Sequence, residues 1–204
     1  MSKRKKKKGL IALLCIMIVA CVVIYLIIAN IGKSSSKVVD EIASYGYTLD
    51  NRDTELMQDV FNKLKKELNE EDVNYEKYAE YLSELFIIDL YTLDNKLNKY
   101  DVGGAEYIYP DHKANFKLKV GDTLYRYLED ESDRKQKLPE VSEITVNEIE
   151  ETTFKYQENE YEAYNIVVDW KYKNDLGYDT SAKVVLFKVE DKLFIAEFTP
   201  EVSE

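Results

Sequence analysis

The residues able to do bond-making chemistry are few and scattered. There is one histidine, His112, and there are two cysteines, Cys15 and Cys21. A hydrolytic triad needs a nucleophile, a base and a group that orients the base. His112 is the only base of the usual kind, and no nucleophile motif surrounds it. Asp111-His112 offers two potential metal ligands, but no further His or Cys completes a zinc set. The pair therefore reads as the polar first turn of a helix that follows Pro110. Calcium loops need acids or amides at alternate positions, a glycine and a closing glutamate. Asp50-Asn51-Arg52-Asp53 and Asp94-Asn95 fall short of that pattern. Gly103-Gly104 stands alone and is no phosphate-binding loop. A glycosidase-like carboxylate pair has no signature among 39 acidic residues. The expectation is no catalytic residue, no cofactor and no metal.

Tyrosine is the unusual feature, with 17 in the chain. Its ring buries area while its hydroxyl bonds at a rim, which suits interfaces. Tyr107, Tyr109, Tyr125 and Tyr127 are the candidate interaction patch. The competing reading makes them half-buried side chains at element edges.

Charge divides the chain into two parts. Residues 1–32 carry +6, all of it from Lys3 to Lys8, and the whole chain carries −11, which leaves −17 for residues 33–204. So acidic a region repels phosphate backbones, so nucleic acid is not an expected partner. Gly9 to Ile31 is uncharged and apolar. At 1.5 Å rise per residue it is long enough to cross a bilayer as a helix. The basic residues before it place residues 1–8 in the cytoplasm by the positive-inside rule. Residues 32–204 are then extracytoplasmic, the protein is single-pass in the cell membrane, and residues 9–31 contact the lipid bilayer. A cleaved signal peptide would have a shorter apolar core. A lipoprotein acylated at Cys21 is the sharper rival, because Ile18-Val19-Ala20-Cys21 has the form of a lipobox. The apolar residues after Cys21 favour the helix.

The outer part has no cysteine and hence no disulfide. Residues 32–49, with Ser34 to Ser36, read as a tether. Residues 50–204 form one domain by length. Asp53 is the expected N-cap of a helix over 54–69, whose Leu56, Val60, Phe61, Leu64 and Leu68 share a face. A second helix is expected over 74–91, with Tyr75, Tyr78, Ala79, Leu82, Leu85 and Phe86 in its buried stripe. Pro110 opens a third over 110–130. The last third reads as strands. Residues 143–156 hold Ile144 and Val146 in phase and Ile149 out of phase, which predicts a bulge. Tyr164, Ile166, Val168, Trp170 and Tyr172 alternate strictly, so Asp169 should point to the opposite face. Residues 180–189 and 192–199 complete an antiparallel meander.

Helices first and strands last define an α+β fold, with three helices packed on a curved four-stranded antiparallel sheet. This element order, with the bulged first strand, resembles the nuclear-transport-factor-two-like family, the cystatin-like cone, over about residues 50–200. It is also similar in outline to membrane-anchored envelope proteins of low-GC Gram-positive bacteria. The resemblance implies either a cone pocket for a small ligand or a sheet used as an assembly surface. Cone enzymes such as the ketosteroid isomerases set an aspartate base in the pocket. Asp169, on the wrong face, does not match. The expected function is a non-catalytic interaction domain of a cell-envelope assembly, with a protein partner in the membrane or envelope. A ligand-binding or enzymatic cone pocket is the alternative.

Overall fold

The computed structural model describes residues 36–201. The expected span over 9–31, the basic tail and Cys21 lie outside them. Among the described residues no helix is long and apolar enough to cross a membrane. The fold is α+β. Its elements run β1 (Val38–Ile42), β2 (Tyr47–Asp50), α1 (Glu55–Glu67) and α2 (Tyr75–Tyr91). A 3-10 turn (Ala105–Tyr107) and α3 (Pro110–Asp122) follow. Then come β3 (Val141–Tyr156), β4 (Asn159–Tyr172), β5 (Ser181–Val189) and β6 (Lys192–Pro200).

Strands β3 to β6 form an antiparallel sheet in chain order, and β1 pairs with β2 as a separate hairpin. Tight connections make the meander. Gln157 and Glu190 take positive φ at two of its turns, the backbone shape that short hairpin loops require. The register of β3 against β4 shifts between Val146 and Glu148. This is the bulge expected from the phase slip, and it keeps Ile144, Val146 and Ile149 all packed toward the core. Tyr164, Ile166, Val168 and Trp170 are buried on the same face, and Asp169 is exposed on the other.

Helix α2 lies against this inner face and meets β3, β4 and β6, while α1 packs on α2. The expected stripe of α2 is buried from Tyr78 onward, and Tyr75 at its start is only partly buried. Asn74 caps the helix by accepting from the Lys77 N–H at 3.0 Å. In α1 the cap is Thr54, which accepts from Met57 N at 3.2 Å, and not Asp53 as expected. The Asp53 carboxylate turns back and accepts from Asp50 N at 2.7 Å, closing the turn after β2.

Two further expectations are corrected. The tether expected over 32–49 contains β1 and most of β2. Ile42, Tyr47 and Leu49 are core residues. The Tyr47 hydroxyl lies 2.6 Å from that of Tyr78 and donates to the Leu193 carbonyl at 3.2 Å. Burial of Ile42, Tyr47 and Leu49 holds the strands Val38–Ile42 and Tyr47–Asp50 in place. The third helix ends at Asp122 instead of 130. Thr123 leaves helical geometry and its hydroxyl donates to Lys119 O at 2.7 Å. The chain then bends so that Tyr125 enters the core and donates to Leu90 O at 2.7 Å. Gly121 in α3 has a packing cause, since a Cβ there would stand 3.2 Å from Lys99 O.

Two buried carboxyls give the fold a pH dependence. Burial pushes Asp53 up from 3.8 to about 7 and Glu84 up from 4.5 to about 7. Both are raised, so the folded state holds protons that the unfolded chain releases between about pH 4 and 7. Their contribution is full below the unfolded values and is lost as pH rises through about 7. The denaturation midpoint should therefore be higher near pH 5.5 than near pH 8. Asp53→Asn with Glu84→Gln should flatten that difference. An unchanged pH profile in the double variant would exclude these two groups as its source.

Candidate functional interface

The outer face of the sheet, opposite α2, becomes aromatic toward the β3–β4 turn. Strand register sets Phe154 across from Tyr161, Ala163 across from Phe187, and Phe187 across from Phe194. Side chains two apart share a face, so these rings and Tyr156 gather on one side. Phe187 is the centre and only 1% exposed. Its ring centroid lies 5.3 Å from Phe154, 5.5 Å from Tyr161 and 5.2 Å from Tyr109. Tyr109 also meets Phe194 at 5.3 Å and Tyr156 at 5.5 Å, both edge-on. Apart from Phe187 these rings are only half-buried.

Two devices fix the segment that brings Tyr109 to the sheet. Asp89 in α2 accepts from Gly104 N at 2.5 Å and from Lys96 Nζ at 2.6 Å. Gly104, at φ +74°, opens the 3-10 turn. At the far end, Tyr156 donates to Asp111 Oδ2 at 3.3 Å in the first turn of α3. His112 stands exposed beside the rings of Tyr109 and Tyr156, so the expected polar first turn is observed. Lys192 lies over Tyr47 at 4.5 Å and over Phe194 at 5.0 Å. It also donates to the Tyr45 carbonyl, which ties the β1–β2 turn to the cluster. Burial pulls its ammonium below the usual lysine range.

The four expected patch residues separate. Tyr109 belongs to the cluster. Tyr107 and Tyr125 are fully buried, and Tyr127 is 79% exposed. The Tyr107 ring packs on Tyr47 at 5.5 Å, and the Tyr125 hydroxyl also accepts from Gly103 N at 3.4 Å. Burial fixes these two as structural residues, so the four do not form one surface. The rings that accompany Tyr109 come from β3 to β6. Their signal in the sequence is parity within each strand: Phe154 and Tyr156 fall out of phase with Ile149 in β3, and Tyr161 falls out of phase with Tyr164 and Ile166 in β4.

Three concave regions were candidates for chemistry. A polar cleft of about 250 Å³ holds Asp50, Asp53, Asp89 and Glu106 opposite Lys113 and Lys117. Its acids are largely engaged in structure, Asp89 as above and Glu106 by accepting from the Thr48 hydroxyl at 3.0 Å. Among the described residues no group of His, Cys, Asp or Glu could hold a metal ion. An open cleft of about 790 Å³ lies beside the β4–β5 loop. There Trp170 Nε1 donates to the Tyr172 hydroxyl at 2.7 Å, which donates to Asp179 O at 2.6 Å. The third is an apolar groove of about 660 Å³ between α3 and β6. No nucleophile–base pair with an orienting partner occurs in any of them.

Comparison of the chain with family models, with curated proteins and with solved structures gives no match. The functional reading rests on the sequence and on this geometry.

Proposed function

We propose that this protein is a single-pass, membrane-anchored interaction domain, with its N-terminus cytoplasmic and its folded part extracytoplasmic. It docks onto a protein of the membrane or cell envelope as a non-catalytic component of an assembly. The observation that carries this reading is the half-exposed aromatic cluster around Phe187 on the sheet face opposite α2, which α3 meets only through its first turn. Large aromatic groups of that kind are enriched where interfaces concentrate their binding energy. The apolar run at 9–31 behind a basic start supplies the anchor in this reading. The order of helices and bulged sheet agrees with the use of a cone-like sheet as an assembly surface. A small-ligand pocket is the second reading, favoured by the α3–β6 groove, whose volume falls in the range of ligand sites.

A photoreactive residue at Tyr156 of the full-length protein tests the interface in cells. Illumination should give a discrete adduct from position 156 and none from Tyr127, which is exposed but off the cluster. Equal adducts from both positions, or none from 156, would overturn the reading.

A further inference from the structure

The α3–β6 groove has the form of a receptor for an extended chain. Six consecutive residues of β6, Ile195 to Pro200, line it. Neighbouring strand residues point to opposite faces, so the groove runs along the strand's edge and not over one face. Strand β6 ends the sheet. On its open side, the chain itself adds at a single point, an isolated parallel bridge between Ile108 and Ile195. After Tyr109 it turns away into α3, and the rest of that edge carries no strand among the described residues.

The backbone polarity of the edge follows from one bond. Glu201 donates its N–H to Ser181 O of β5. By the alternation of an antiparallel ladder, the backbone groups of Phe198 and Pro200 then face away from β5. Pro200 has no N–H to leave unpaired there, which suits an edge. Phe198 presents both an N–H and a C=O.

The opposite wall is α3, with Phe116, Lys119 and Val120, and the floor includes Tyr91. The other titratable groups facing the groove are His112, Asp179 and Glu197. Asp179 already accepts from the Tyr91 hydroxyl at 2.8 Å. Glu197 pairs in register with Val185, which places its side chain on the outer sheet face. Lys119 makes no ion pair among the described residues, so the α3 wall of the groove carries a cation without a partner acid, while the negative charge of Asp179 sits beside the Tyr91 hydroxyl.

We propose that this groove takes an extended segment of a protein partner, which adds as a fifth strand along β6 and sets an acidic side chain opposite Lys119. Main-chain bonds to the edge supply affinity and the apolar walls select alternate side chains, as in other strand-addition complexes. The inference rests on the reading of the domain as an interaction module and names the kind of partner segment it takes.

The test extends the full-length chain beyond Glu204 by a glycine–serine linker and a strand of alternating valine and threonine with one central glutamate. A control strand has lysine at the centre. Tethering supplies a high effective concentration, and amide hydrogen exchange of Phe198 is read. The glutamate strand should slow that exchange by roughly tenfold or more, and the lysine strand by clearly less. Lys119→Glu should reverse the order. Unchanged exchange with both strands, or an order indifferent to Lys119→Glu, would overturn the proposal. So would protection that rises with concentration in the unextended chain, which would assign the edge to a second copy. Crosslinking from Tyr156 does not depend on this edge, so either idea can fail alone.

Discussion

Lys96→Met should lower the folding stability by about 3–5 kcal/mol, the usual cost of breaking a buried ion pair by removing one partner. The Lys96 side chain is 6% exposed and that of Asp89 19% exposed, with 2.6 Å between charged atoms. Methionine keeps the length and apolar stem of lysine and removes only the charge. Asp89 would then keep its bond from Gly104 N but lose its counter-ion. It would also remain near Asp53 and Glu106, whose carboxyls are pushed up mainly by burial and further by the Asp89 charge. Urea denaturation of wild type and variant measures the loss. Asp89→Asn in the Lys96→Met background should recover a good part of it, because no uncompensated charge then stays buried. A loss under about 1 kcal/mol, the scale of a surface pair, would show that water reaches Asp89 freely. Because Asp89 holds the 3-10 turn, the same variant should weaken the Tyr156 adduct as Tyr109 loosens.

Gly103→Ala should cost on the order of 3 kcal/mol or more, since overpacking against unyielding atoms is among the largest single-residue effects. A Cβ at Gly103 would stand 2.0 Å from the Asp89 carbonyl oxygen and 2.6 Å from its carbon. Both belong to the last turns of α2, which is packed against the sheet and cannot retreat. Gly46→Ala is the control. Gly46 has φ +68° but open space around it, so only the backbone preference is lost, about 1 kcal/mol. At about 2–4 °C per kcal/mol for a chain of this size, thermal melting separates the two. Equal shifts would mean that the Gly103 segment moves aside.

The sequence reading went furthest where neighbours along the chain control structure. Four-residue spacing located α1 and α2, and two-residue alternation located β4 with its buried Trp170 and exposed Asp169. The slip between Val146 and Ile149 located the bulge in β3. These patterns survive because each element needs one apolar face, whatever that face meets. Where a distant partner decides, the reading failed. Tyr47 looks like part of a serine-rich tether until Tyr78 and Leu193 are placed beside it. Leu124 and Leu128 prolong the spacing of α3, yet the helix breaks at Thr123 because Tyr125 reaches the carbonyl of Leu90.

The same division applies to the candidate interface. Composition marked tyrosine as notable, and of the four residues it offered only Tyr109 joins the aromatic cluster. It could not separate Tyr109 from Tyr107, because the two side chains differ in what packs on them and hardly at all in local sequence. Sequence by itself determined the charge asymmetry, the apolar run, the α+β order and the lack of a recognisable catalytic set. All of these are sums or short-range periodicities along one chain. Only the tertiary structure brought Phe154, Tyr156, Tyr161, Phe187 and Phe194 around Tyr109 and left the β6 edge open beside α3. Strand register and the turn at Gly103-Gly104 join residues nearly ninety positions apart, and no local pattern carries that information.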